Sequence, residues 1–152
     1  MKQFKDTAGR DWLVSITVGD IKRVRAVLDI NLNKALDNRF AILTDILSDP
    51  CKLVDILYVL CQEQTAKAGV TDEQFGRAFS GDVLDAATTA FLEALTDFFP
   101  TAARAAMQAI LAKGKEAGEI LTQRMNQQIA NLSPEQVATL TVSSGSSRES
   151  VA

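Results

Sequence analysis

The chain has 152 residues, enough for one domain with a tail and little more. Hydrophobic residues make up 47% and charged residues 23%, which excludes a wholly disordered chain, and the absence of histidine removes histidine-based triads and imidazole metal sites. A formal charge of -3 argues against a surface that neutralises many phosphates, so nucleic-acid binding is not expected.

Residues 1–18 read as a β-hairpin. Lys2–Lys5 is a short candidate strand, Asp6-Thr7-Ala8-Gly9-Arg10 supplies turn chemistry, and Trp12, Val14, Ile16 and Val18 alternate with polar or outward positions. Gly9 suits the positive φ of such a loop, and Trp12 is expected to point inward.

From Gly19 the apolar period turns helical. Asp20 is the expected cap of a helix burying Ile21, Val24 and Leu28. A connector over 29–33 leads to a helix predicted at 34–47, with Leu36, Phe40, Leu43 and Leu47 on one stripe. Ser48-Asp49-Pro50 stops it and starts another at 50–65, carrying Leu53, Ile56, Leu57 and Leu60, whose wide apolar arc marks it as the most central helix. Thr71-Asp72-Glu73-Gln74 is a capping-box pattern opening a short helix that buries Phe75 and Phe79. A further helix is predicted at Asp82–Phe98, with Leu84, Phe91, Leu95 and Phe98 inward. Pro100 precedes a long helical stretch, Thr101–Asn131, rich in alanine at first and weakened by Gly114 and Gly118. Ser133-Pro134-Glu135 starts a last turn with Val137 and Leu140, and the serine-rich end is expected to be disordered.

The predicted fold is therefore α+β, mostly α. An N-terminal β-hairpin packs on a bundle of five or six helices over residues 1–100, followed by a helical arm at 101–142 and a disordered tail at 143–152.

The longest apolar-dominated run, 53–61, is about nine residues, against roughly twenty for a membrane span, and the charged opening Met1-Lys2-Gln3-Phe4-Lys5-Asp6 carries no visible export signal. The chain reads as soluble. Cys51 and Cys61, if on one helix, stand roughly 15 Å apart, whereas a disulfide tolerates about 7 Å, so two reduced, partly buried thiols are expected.

No constellation points to catalysis. Asp82 with Asp85 and Glu116 with Glu119 are spaced to share a helix face, but a catalytic pair needs environments that split the two pKa values. The chain has no phosphate-binding glycine motif, calcium loop or Cys-x-x-Cys, and a Ser or Cys without a histidine partner is a poor nucleophile. Catalytic residues, cofactor and metal are accordingly all assigned as none. Residues 70–99 carry one basic and six acidic side chains, while Lys22, Arg23 and Arg25 form the compact basic cluster on the first helix. Both read first as solvated charge. The stretch after Pro100 is the informative oddity. Its thin apolar stripe reads either as an arm packed back over the domain or as a partner-binding helix, with Leu111, Leu121, Met125 and Ile129 as contacts.

The opening Phe4-x-Asp6-x-x-Gly9-Arg10-x-Trp12, then Ile21-Lys22-Arg23-Val24-Arg25, resembles small proteins encoded among the tail genes of long-tailed bacteriophages and prophages. Asp49-Pro50, Asp55-Ile56-Leu57-Tyr58-Val59-Leu60-Cys61, Val70-Thr71-Asp72-Glu73-Gln74-Phe75-Gly76-Arg77-Ala78 and Asp97-Phe98-Phe99-Pro100 fit the same pattern. The likeness covers about residues 1–100 and is to the tail assembly chaperones. It implies a non-enzymatic helper in the host cytoplasm that binds and solubilises the helical tape measure protein and helps recruit the tail tube protein. It carries no catalytic residues, cofactor or membrane partner, and leaves homo-oligomer formation open. The alternatives are a virion component, as adaptor or tail-completion protein, and a small DNA-binding regulator.

Overall fold

The computed structural model describes residues 2–131. The last turn expected from Ser133 and the serine-rich tail lie outside the described residues. The fold is mostly helical, with an antiparallel N-terminal hairpin packed on helices.

Alternation shapes the hairpin. Strands β1 (Lys2–Lys5) and β2 (Asp11–Val14) pair with Phe4 opposite Trp12, so Phe4, Trp12 and Val14 fall on one buried face. The inward phase carries on to Ile16 but not to Val18, which is exposed because it already begins a helix. Gly9 takes φ +80° in the turn, a conformation that would strain a side-chain-bearing residue. The outer edge of β2 is closed by an amide: Gln64 accepts from the Leu13 N–H at 2.9 Å and donates to its carbonyl at 2.8 Å.

Helix α1 (Val18–Leu28) is opened by Thr17 rather than Asp20. The Thr17 hydroxyl accepts from the Asp20 N–H, and the Asp20 carboxylate accepts from the Thr17 N–H at 2.8 Å, a reciprocal box that places Asp20 inside the first turn. Ile21 and Val24 are buried; Leu28 is half-buried.

The helix expected at 34–47 does not form as one piece. Two short 3-10 turns, Leu32–Lys34 and Asn38–Phe40, precede helix α2, which covers only Ala41–Ser48. Asn38, Arg39 and Phe40 all take left-handed φ, between 51° and 63°, a costly choice for residues with side chains. Burial decides it. Leu32 and Ala35 are fully enclosed, and the break re-phases the chain so that Leu43 and Ile46 point inward while Leu47 is left exposed.

Helix α3 (Pro50–Leu60) begins as expected, with proline in its first turn and the Asp49 carboxylate accepting from the Cys51 and Lys52 N–H groups. It buries Leu53, Ile56, Leu57 and Val59, and it packs against α1, α2 and three later helices, which makes it the centre of the bundle. Leu60 is only half-buried, since its neighbour Val59 takes the inward position. The helix breaks at Cys61 instead of running to residue 65. Helix α4 (Gln62–Ala68) continues from there and is closed by Gly69 at φ +67°.

Helix α5 (Asp72–Arg77) carries the predicted capping box between Thr71 and Gln74. Phe75 is enclosed, with Trp12 edge-on at 5.2 Å and Phe79 and Tyr58 at 5.0 and 5.4 Å between ring centroids. Phe79 remains half-buried. Helix α6 (Asp82–Phe98) has the predicted bounds, and β1 lies along it. Ala87, Ala90 and Ala94 are all buried on α6, small enough to admit the hairpin close to the helix. Phe91 and Leu95 are enclosed, but Leu84 and Phe98 are half-buried, and Phe99 is buried beyond the helix end.

Helix α7 (Thr101–Asn131) also has the predicted bounds. Its Arg104 donates to the carbonyls of Phe99 and Asp97, both at 3.3 Å, and so covers polar groups left open at the end of α6. The described residues divide into two units, one ending at Gln108 and the other beginning at Ala109. The first unit runs beyond the division expected at residue 100, because Met107 is fully buried.

Candidate docking surface

The polar side chains of the first unit are largely occupied in holding it together. Asp6, read from sequence as a turn residue, is the buried anchor of the hairpin. One carboxylate oxygen accepts from the Ala8 and Arg10 N–H groups at 2.9 Å, the other from Arg10 Nε at 2.8 Å and Trp12 Nε1 at 2.9 Å. Burial by itself pushes this carboxyl up; the bonds from Trp12 and Arg10 and the guanidinium charge outweigh it and hold the carboxyl below its ordinary value. The signal for this lay in the Asp-x-x-x-Arg-x-Trp spacing, which across a tight turn returns Arg10 and Trp12 to Asp6.

The two cysteines separate by environment. Cys51 is exposed in the first turn of α3, and Cys61 is buried at the α3–α4 break, both free. Burial first, and the Asp20 charge second, push the Cys61 thiol up to about 12, which leaves it protonated and inert. Among the described residues no three His, Cys, Asp or Glu side chains gather to hold a metal ion, and no helix is long and apolar enough to cross a membrane.

The carboxylate pairs lie on open surfaces. Asp82 and Asp85 occupy the exposed first turn of α6, where they favour the helix N-terminus. Glu93 on the same helix meets Lys2 at 3.6 Å. Glu116 and Glu119 are exposed on α7. Of the basic cluster, Arg23 approaches Asp20 at 3.7 Å, whereas Lys22 and Arg25 border a cleft of about 210 Å³ whose apolar side includes Ile21 and Phe98.

The apolar residues of α7 form the surface that stands out. Ala103, Met107, Ile110, Leu111, Gly114, Leu121, Met125 and Ile129 recur at three, four or seven residues and so share one face of the helix. Covering changes along this single stripe. Met107 is fully buried, Ile110 and Leu111 are half-buried, and Leu121, Met125 and Ile129 are 60%, 54% and 60% exposed. Of the four contacts expected from sequence, three are thus open and Leu111 is partly covered. Ile120 is exposed too, but it lies roughly 100° round the helix from Leu121 and further from Met125 and Ile129, off the stripe. Helical geometry sets Lys115 and Arg124 along the borders of the stripe and Glu116 behind it. Large apolar side chains grouped in this way on a polar helix mark a surface suited to covering another apolar surface.

Comparison with models of protein families finds no match to this chain, and comparisons with curated proteins and with solved structures find none either.

Proposed function

We propose that the chain is a non-enzymatic assembly chaperone of a long-tailed bacteriophage or prophage, which binds the tape measure protein in the host cytoplasm and keeps its apolar helical surface covered until the tail is built. The observation that carries this reading is the open stripe of Leu121, Met125 and Ile129 on the long helix α7. The likeness of residues 1–100 to tail assembly chaperones supports the same assignment.

The energetics suit a carrier. Full burial of a Leu, Ile or Met side chain is worth about 1.5–3 kcal/mol. Three side chains already about half covered therefore contribute on the order of 3 kcal/mol, before the cost of association is subtracted. One stripe alone makes a weak contact, and many copies along a long helix would cover it without becoming permanent. An acidic chain adds repulsion between loaded complexes, which opposes aggregation.

Co-expression with the tape measure protein tests the reading. The wild-type chain should keep that protein in the soluble fraction and purify with it, and the pair Leu121→Asp with Met125→Asp should lose both effects without lowering the melting temperature. A tape measure protein equally soluble and equally retained with the double variant overturns the assignment of this surface. Abundant copies in finished particles, measured by mass spectrometry, would replace the chaperone with a virion component.

A further inference from the structure

Helices α3, α5 and α6 leave a groove of about 290 Å³ within the first unit. Its apolar lining includes Val54, Phe79 and Leu84, and a Cβ placed on Gly76 at its side would meet nothing within 4 Å. The volume is at the lower edge of ordinary small-molecule pockets, which suits single side chains better than a whole cofactor. Two carboxylates, Asp55 from α3 and Asp72 from α5, line the same groove. Neither forms an ion pair among the described residues, although Asp6, Asp45 and Glu73 elsewhere all do. The Asp55 carboxyl is pushed up, first by burial and then by the charges of Asp72 and Asp49, and both groove aspartates are exposed to solvent.

An apolar recess bordered by uncompensated negative charge selects its occupant by complementarity. A neutral apolar side chain alone would leave the carboxylates repelling each other, and an acidic segment would add to that repulsion. We propose that the groove docks a helical segment of a partner polypeptide that carries an apolar side chain with a lysine or arginine one helical turn away. The apolar side chain enters between Val54, Phe79 and Leu84, and the cation lies against Asp55 and Asp72. The inference rests on reading this chain as a partner-binding protein, but it uses different residues from the α7 stripe.

Two dye-labelled amphipathic helical peptides of equal length, one of leucine and lysine and one of leucine and glutamate, serve as probes of the full chain by fluorescence anisotropy. The leucine–lysine peptide should bind and weaken with added salt, and the leucine–glutamate peptide should not bind. Replacing Asp55→Asn together with Asp72→Asn should weaken binding by up to about tenfold, the size expected of two exposed ion pairs. That variant removes a repulsion and also the Asp72 charge in the first turn of α5, two small opposed effects, so it should melt close to wild type. Gly76→Leu, which fills the groove, should weaken binding of the same peptide. The Leu121→Asp, Met125→Asp chain should bind it as wild type does, which separates failure of the groove from failure of the α7 surface. Equal binding of both peptides, or unchanged binding by the double Asn variant, overturns the proposal. Concentration-dependent self-association abolished by the double Asn variant also overturns it, giving the groove to a second copy of this chain.

Discussion

Asp6→Asn is the sharpest perturbation of this fold, because the side chain keeps its shape and changes only what it can accept. The aspartate oxygens receive four N–H donors, two on each oxygen. Asparagine has one oxygen. If that oxygen faces Ala8 and Arg10 N–H, the new amide nitrogen confronts the Trp12 indole and the Arg10 guanidinium; if it turns over, the two backbone donors are orphaned instead. Trp12 is 2% exposed, so its N–H has no water to turn to. A buried donor left unpaired costs about 1–3 kcal/mol, and the half-exposed Arg10 contact adds less, for a total of about 2–3 kcal/mol. For a unit of this size that lowers the melting temperature by roughly 10 °C. Circular dichroism melts at several pH values measure it. The folded carboxyl lies below its unfolded value, so its contribution is complete above the unfolded pKa and is lost as pH falls through the folded one. The gap between wild type and variant should therefore hold steady at neutral pH and close below about pH 4. A variant melting within about 2 °C of wild type at neutral pH, or a gap that widens in acid, refutes the reasoning.

Alkylation of the native chain should stop at one adduct, on exposed Cys51, with Cys61 reacting only after denaturant is added, as intact mass spectrometry will show. Because the folded Cys61 thiol stays protonated up to about 12 while an unfolded one ionises near pH 8.5, its contribution to stability should fall as pH rises between those values. Met107→Ala should cost about 3 kcal/mol by denaturant titration, and a chain ended at Gln108 should melt higher than one ended at Pro100, since the latter discards a fully buried side chain. Gln64→Ala should cost about 1–2 kcal/mol and promote strand-edge association, seen by light scattering, because it uncovers the Leu13 N–H and leaves the Leu13 carbonyl only the Cys61 thiol.

Local chemistry made much of this architecture legible from residues alone. The Thr71–Gln74 box, proline after Asp49, and Pro100 between two alanine-rich stretches each mark a boundary by a short-range rule, and each boundary stands, whereas the period-two run read to Val18 forms a strand only to Val14. The shared face of Leu121, Met125 and Ile129 on α7 was also readable, because residues four apart fall on one side of a helix. Other features depend on partners distant in sequence. Whether residues 34–40 form a helix was decided by enclosing Leu32 and Ala35, which outweighed three left-handed residues. Asp6 became an anchor only when the hairpin brought Arg10 and Trp12 back to it, and the groove of Asp55 and Asp72 exists only because α3, α5 and α6 meet at its walls. Periodicity and capping act within a turn or two of the chain, whereas burial and charge are settled by what the folded chain sets alongside each side chain.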